Sequence, residues 1–370
     1  MGKFEQLPNE LIYNIFDYLN GNEIYNSFYY LNKRFHLLIK NSSLHFKCSS
    51  LIRLDILFDY VIPYINTKHI KALTIKDGKP TYFPSPADLA KFLLSGLRTN
   101  RFFIINSRHW INLQTIKLNF RKPCCWKVQN LEIVVENLDK FPNLIHLTLQ
   151  TSYNFPSDNT IDLMCSKIFP LTNLKYLSFC RENYIIPKFD KLQLQPYQQS
   201  SSIEYLTMPN SDFQFSELEA LFAYMPKLKY LNLTLIKPYK HFYSMFNWAI
   251  DTNSQQHSFT APQDLKEIKL DFYEENISSK EIISLLTQIT KLEKLTVNIR
   301  YVLVIDEILI LMLFHTSLPL LKSCRISFTN VSRLELNCRT QRWLSIYVSQ
   351  VLMVLSYDDK YIQTVLHLCL

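Results

Sequence analysis

One short apolar phrase recurs along most of this 370-residue chain and restricts its fold more than any other feature. The phrase has the form Leu-x-x-Leu-x-Leu, with other apolar residues replacing leucine at some places. Its nine copies are Ile70-Leu73-Ile75, Leu113-Ile116-Leu118, Leu144-Leu147-Leu149, Leu174-Leu177-Phe179, Ile203-Leu206-Met208, Leu228-Leu231-Leu233, Leu265-Ile268-Leu270, Leu292-Leu295-Val297 and Leu321-Cys324-Ile326. Their first residues are 43, 31, 30, 29, 25, 37, 27 and 29 positions apart. Periods of this size are typical of chains that stack one small structural unit on the next.

The stretches between phrases have helical patterns. The clearest runs from Ser216 to Met225, where Leu218, Leu221 and Phe222 share one face and Ser216 with Glu219 forms a capping box. The other predicted helices are 129–138, 161–168, 279–289 and 305–315. Alternation of strand and helix predicts an α/β fold with a parallel sheet.

The phrase and its spacing resemble the leucine-rich repeat. This resemblance implies a curved solenoid with a parallel β inner wall and a helical outer wall. The Asn or Cys that normally follows each strand of the family is missing from every copy, so we expect an irregular horseshoe. After Ile326 the pattern decays into strand-like pieces at 334–336 and 346–348, which we interpret as a C-terminal cap.

Alternation along each strand places the third, fifth and seventh residues of the phrase opposite the buried leucines. Read from copy to copy, the third place is Ala72, Thr115, His146, Tyr176, Tyr205, Tyr230, Glu267, Lys294 and Ser323. Three tyrosines therefore follow one another in one column, beside small or polar fifth places. Tyrosine is favoured at recognition surfaces, so the candidate target-binding residues are His146, Tyr176, Tyr205, Tyr230, Glu267 and Lys294. The alternative is that tyrosine simply favours exposed strands.

The first 47 residues predict three short helices with one shared core. Pro8 and Glu10 suit the start of a helix that runs to about Leu19, and Leu11, Ile15 and Leu19 form a stripe widened by Ile12 and Phe16. Asn22 is the predicted cap of the second helix, which carries Ile24, Phe28 and Leu31. A third helix contains Phe35, Leu38 and Ile39.

This pattern, from Leu7-Pro8-x-Glu10 through the apolar positions to Leu44, resembles the F-box over roughly residues 4 to 47. Asn32 stands where many members carry cysteine, and Phe35 replaces the usual tryptophan. The resemblance implies docking onto the Skp-type adaptor of a cullin scaffold. The adaptor-binding candidates are Leu7, Pro8, Glu10, Leu11, Ile15, Leu19, Leu31 and Phe35. The alternative is an F-box that only folds.

Composition argues against several other classes. With only four glycines, the chain contains no GxGxxG, P-loop or GxSxG motif. The eight cysteines form no Cys-x-x-Cys or Cys/His spacing, which predicts free thiols and no metal site. The formal charge of +8 comes from scattered basic residues, which disfavours nucleic acid as a partner. No run approaches the ~20 apolar residues of a membrane span. No cofactor is expected, and the predicted location is cytoplasmic, nuclear or both.

The sequence thus predicts an F-box at 1–47, a linker at 48–68, a leucine-rich-repeat solenoid at 69–330 and a cap at 331–370. We expect a non-catalytic substrate receptor of an SCF-type ubiquitin ligase. Two alternatives stay open, a leucine-rich-repeat protein-binding scaffold without ligase association and an enzyme with an unrecognised site.

Overall fold

A computed structural model describes residues 4–48, 67–76, 112–120, 135, 138–151, 164–181, 201–213, 215–235, 261–272, 285–300, 320–329, 350–358 and 361–369. The chain has the predicted α/β fold and divides into two compact units, unit 1 (Met1–Asn183) and unit 2 (Tyr184–Leu370).

Unit 1 begins with three helices: α1 (Asn9–Tyr18), α2 (Gly21–Phe28) and α3 (Lys33–Asn41). Their starts follow from local chemistry. Pro8 immediately precedes α1, and its fixed φ of −55° suits a helix entrance. The Asn32 side chain accepts a hydrogen bond from the Phe35 N–H at 3.1 Å and so caps α3. Asn32 therefore has a structural role here.

The cap of α2 differs from the prediction. Asn20, not Asn22, is the capping residue, because α2 begins at Gly21. The Asn20 side chain accepts from the Asn22 N–H at 3.2 Å, while the Glu23 carboxylate accepts from the Asn20 N–H at 2.9 Å. This reciprocal arrangement is a capping box.

The helices are followed by five parallel strands of a sheet. Its strands are β1 (Leu44–Cys48), β2 (Ile70–Lys76), β3 (Thr115–Phe120), β4 (His146–Thr151) and β5 (Tyr176–Arg181), and each pairs with the next along the chain. β1 was not predicted. It starts in the segment assigned to the helical module, so the boundary drawn after residue 47 lies inside a strand.

β1 also fixes the helices to the sheet. The Asn20 side chain donates to the Lys47 carbonyl and accepts from the Lys47 N–H, both at 3.1 Å. Next to it, Gly21 packs against the buried ring of Phe46, so closely that a Cβ on Gly21 would lie 2.8 Å from the ring. The start of α2 is therefore joined directly to the first strand.

Unit 2 contains the parallel strands β6 (Tyr205–Phe213), β7 (Tyr230–Leu235), β8 (Glu267–Phe272), β9 (Lys294–Arg300) and β10 (Ser323–Thr329). Helix α4 (Phe215–Tyr224) lies between β6 and β7, close to the predicted 216–225. The chain ends in β11 (Gln350–Asp358) and β12 (Tyr361–Cys369), an antiparallel pair in which β12 lies against β10. The predicted pieces at 334–336 and 346–348 lie outside the described residues.

The strand register within each unit aligns the repeated phrase from strand to strand. In unit 1, Ala72 pairs with Thr115, Thr115 with His146 and His146 with Tyr176. In unit 2 the same column runs Tyr205, Tyr230, Glu267, Lys294 and Ser323. At the fourth place, one residue further along, Leu73, Ile116, Leu147, Leu177, Leu206, Leu231, Ile268 and Leu295 are all at most 1% exposed. The apolar positions of the phrase therefore form the core.

One turn recurs before the strands. The N–H of the first leucine of a phrase donates to the carbonyl three residues earlier, as in Leu144 to Phe141 (3.0 Å), Leu174 to Leu171 (3.2 Å), Leu228 to Met225 (3.2 Å) and Leu292 to Ile289 (3.3 Å). Side chains in these turns join neighbouring repeats. Asn112 donates to the Lys68 carbonyl (2.8 Å) and Asn173 to the Pro142 carbonyl (2.6 Å). In unit 2, Lys291 occupies the same place as Asn112 and Asn173, immediately before its phrase, and forms an ion pair at 3.2 Å with Asp264 of the preceding repeat.

Candidate protein-interaction surfaces

The segment before α1 is held by an arginine from α3. The Arg34 guanidinium donates to the backbone carbonyls of Glu5 and Leu7 and, at 3.0 and 2.7 Å, to the Asn9 side-chain oxygen. The planar guanidinium can hold several acceptors at once because its N–H groups form a rigid fork. Sequence reasoning missed Arg34, since nothing in the local pattern pairs it with residues more than twenty positions earlier.

Stacked aromatic rings also hold the segment before α1, through Phe4. The Phe4 ring lies 5.6 Å from Phe28 and 5.8 Å from Phe35, centroid to centroid, and Phe16 lies 5.4 Å from Phe28. Phe35, one of the predicted adaptor-binding residues, is 0% exposed. It therefore belongs to the core of the helices and can only support a docking surface from within.

The other predicted adaptor-binding residues are all at least partly accessible. Pro8, Glu10, Leu11 and Leu31 are exposed, whereas Leu7, Ile15 and Leu19 are partly buried. The buried face of α1 is formed by Ile12 and Phe16, which displaces the predicted stripe of Leu11, Ile15 and Leu19 toward solvent. The docking candidates thus flank the core instead of filling it.

Three further exposed apolar residues lie on the helices or in the turn between α2 and α3 and were not among the candidates. Tyr18 is 91% exposed, Tyr30 79% and Leu37 51%. Tyr30 belongs to an aromatic cluster in which the Tyr29 ring stacks at 4.3 Å on Tyr25 and meets His36 at 4.5 Å. Exposed positions of this kind carry no signal in a helical pattern, because polar and apolar residues are both tolerated there.

In unit 1 the candidate target-binding residues His146 and Tyr176 lie side by side. Their rings stack at 5.4 Å with an interplanar angle of 17°, and Tyr176 is 39% exposed. The His146 Nε2 is 3.2 Å from the Thr148 hydroxyl. Partial burial lowers the pKa of His146, and the nearby positive charge of Lys117 lowers it further.

In unit 2 the structure brings together the other four. The Tyr205 and Tyr230 rings are 6.4 Å apart and inclined at 29°. Beside them Lys294 forms an ion pair with Glu267 at 2.6 Å, and hydrogen bonding to Glu267 raises the pKa of Lys294. Burial raises the pKa of the Tyr230 hydroxyl, with Glu267 adding to the shift.

The space beside this tyrosine pair is more closed than the sequence predicted. Asn232, expected as a small polar residue leaving room for a ligand, is only 7% exposed, and its side chain and Thr207 are hydrogen-bonded to the Tyr230 hydroxyl. Thr234 is 0% exposed, and Asp271, 7% exposed, accepts a hydrogen bond from Asn298. These polar side chains stabilise the sheet and leave the two rings as the accessible part.

Within the described residues, no group of three or more His, Cys, Asp or Glu side chains is arranged to hold a metal ion. No helix in those ranges is long and apolar enough to cross a membrane. Cys180 is not part of a disulfide, and the side chains of the other seven cysteines lie outside those described, so reduced thiols there stay a prediction.

Neither a scan against protein-family models nor a search of curated proteins found a match to this chain.

Proposed function

We propose that this chain is the target-recognition subunit of a cullin-based ubiquitin ligase. The three helices act as an F-box that binds a Skp-type adaptor. The strands belong to a leucine-rich-repeat solenoid whose non-core face binds the target protein. Ubiquitin transfer is carried out by other subunits and is accelerated because the target is held near them.

The distribution of exposed apolar side chains carries this proposal. Eight large hydrophobic residues are exposed within the described ranges, and six of them lie on the three helices, in the turn between α2 and α3, or in the segment before α1: Phe4, Leu11, Tyr18, Tyr30, Leu31 and Leu37. A small module that exposes this many large apolar side chains favours a protein partner, which would remove them from water. Leu11 and Leu31 are also among the residues to which the F-box resemblance assigns adaptor binding.

The contacts of Arg34 support the same reading. By binding the carbonyls of Glu5 and Leu7, Arg34 restricts the segment that presents Leu7 and Pro8. A segment already held in its binding conformation loses less entropy on association. The Leu-Pro segment is therefore suited to act as a preformed contact.

The repeated turn, the common register and the phrase itself favour the leucine-rich-repeat assignment of the strands. The same features are equally compatible with a protein-binding scaffold that has no ligase. In both cases the accessible rings of Tyr176, Tyr205 and Tyr230 are the proposed anchors for a target. Only adaptor binding separates the two functions.

Adaptor binding is tested by purifying the tagged full-length chain from cells and measuring co-purified adaptor and cullin. The double variant Leu7→Ala/Pro8→Ala should bind the adaptor at least about tenfold more weakly, because two partly accessible apolar side chains are lost from the docking surface. The matched control is Asn26→Ala/Ser27→Ala, which changes two exposed residues of α2 and should retain the adaptor. Undiminished capture by the first variant contradicts the proposed surface. Absence of adaptor from wild-type preparations favours the scaffold.

A further inference from the structure

The non-core face of the unit 1 sheet is accessible along its whole described length. We call it the polar face; it consists of His45, Lys47, Ala72, Thr74, Thr115, Lys117, Asn119, His146, Thr148, Gln150, Tyr176, Ser178 and Cys180. Each of these residues is partly or largely exposed, whereas the alternate residues, apart from the exposed Lys71 near the start of β2, are buried wherever their side chains are described. The polar face is therefore a continuous surface available to a partner.

Its charge has one sign. Lys47 and Lys117 stand at the outward positions of β1 and β3, and no Asp or Glu occupies an outward position of β1 to β5. The positive charge of Lys117 acts on its neighbours on this face, because it helps to lower the pKa of His146. The rest of the face consists of hydroxyl and amide side chains, apart from Ala72, Cys180, the two histidines and Tyr176.

The corresponding face of unit 2 is different. There the outward positions of β8 carry Glu267 and Asp271 together with Lys269, and Lys294 of β9 is already paired with Glu267. Opposite charges within one face satisfy each other and offer little net attraction to a charged ligand. The two faces, although built from the same repeated phrase, are therefore suited to different ligands.

We infer that the polar face of unit 1 binds an extended acidic segment of the target protein. The inference rests on the proposed function, since it names the chemistry of the target. Carboxylates of the segment pair with Lys47 and Lys117, its backbone hydrogen-bonds to the threonine, asparagine and glutamine side chains, and an apolar residue packs on the stacked rings of His146 and Tyr176. β1 and β3 are two strands apart, about 10 Å, a distance that flexible lysine stems can adapt to two carboxylates of one short acidic run.

A carboxylate ligand agrees better with this face than a nucleic acid. Arginine, whose planar fork matches phosphate, is the residue favoured for nucleic-acid recognition. The described outward positions of β1 to β5 contain lysine and no arginine. Two lysines on a polar surface also fall short of the clustered basic stripe that tracks a phosphate backbone.

The test uses the full-length chain and a fluorescent Ala-Glu repeat peptide of about twelve residues, followed by fluorescence anisotropy at increasing salt. An Ala-Gln repeat peptide of equal length is the uncharged control. Lys117→Glu is compared with Lys269→Glu, because both lysines occupy the fifth place of the phrase, on β3 and β8 respectively. Lys117→Glu should weaken binding of the acidic peptide at least about tenfold, and Lys269→Glu less than about threefold.

Lys117→Gln, which removes the charge without reversing it, is included with a thermal melt in case the glutamate variant unfolds; it should weaken binding about threefold. Equal binding of the two peptides, or equal effects at Lys117 and Lys269, would overturn the inference. So would a single-stranded oligonucleotide that displaces the acidic peptide and binds more tightly. Adaptor capture is measured on the same preparations: capture without peptide binding rejects only this inference, whereas peptide binding without capture rejects only the ligase function.

Discussion

The contact between Gly21 and Phe46 should make Gly21→Ala destabilising, although alanine is the better helix former. A Cβ at position 21 would lie 2.8 Å from two ring atoms of Phe46 and 3.0 Å from a third. The ring is 1% exposed, and the adjoining Lys47 backbone is held by Asn20 through two hydrogen bonds of 3.1 Å. The ring therefore has little freedom to move away, and overpacking of this kind costs about 1–3 kcal/mol.

The gain in helix propensity from alanine is smaller than this cost of overpacking. Replacing glycine by alanine within a helix gains about 1 kcal/mol, and less at the first residue, where Gly21 stands. We therefore expect Gly21→Ala to lower the free energy of unfolding by about 1–2 kcal/mol, measured by urea denaturation with hydrogen exchange of the β1 amides.

A double-mutant cycle isolates the contact. Phe46→Leu removes the ring atoms nearest Gly21, so Gly21→Ala should cost much less in that background than in the wild type. Ser27→Ala, on the exposed side of α2, is the control for helix propensity and should be neutral or slightly stabilising. Wild-type stability in Gly21→Ala, or strictly additive effects in the cycle, would refute the close packing of α2 on β1.

Two other predictions concern the surfaces. Arg34→Lys keeps the charge, but the lysine cannot bind the carbonyls of Glu5 and Leu7 and the Asn9 side chain at once, so adaptor binding should weaken about fivefold to tenfold. The neighbouring control Lys33→Ala should have little effect. Equal adaptor affinities of Arg34→Lys and the wild type would show that the segment does not need these hydrogen bonds for binding. The lowered pKa of His146 means that the unfolded chain takes up a proton more readily than the folded one, so the contribution of His146 to stability is present above pH 6.5 and is lost as the pH falls below it. Lys117→Met should raise the His146 pKa in an NMR titration, and an unchanged value would contradict the field attributed to Lys117.

Much of the fold could be predicted because the determining pattern is local and repeated. The leucine phrase specifies both which residues are buried and how neighbouring strands align, since a shift by one residue would turn every leucine outward. The residues that link neighbouring repeats by hydrogen bonds were predicted less well. The asparagine expected after each strand is missing, and Asn112 and Asn173, which precede their strands, bond to the preceding turn instead.

The features missed in the sequence depend on contacts between distant residues. Arg34 reaches Glu5, Asn20 reaches Lys47, and β12 lies between β10 and β11 although β11 comes first in the chain. Burial at the candidate surfaces was missed for the same reason. Asn232 suits an accessible position by type, and Phe35 suits either a core or a docking position, yet three-dimensional packing places both in the interior.

The position of β1 determines how the two proposed activities can be separated experimentally. Removing residues 1–47 would delete the helices but also most of β1, exposing the edge of β2 and the apolar surface that Phe46 covers. Loss of target binding by such a truncated chain would then follow from damage to the sheet as readily as from loss of the adaptor. Changes at Leu7 and Pro8 leave Asn20, Gly21 and β1 intact. Point variants at the docking segment, combined with Lys117 variants on the polar face, therefore assign each binding activity to its own surface. They should act independently, because Leu7 and Pro8 precede α1 whereas Lys117 lies on β3.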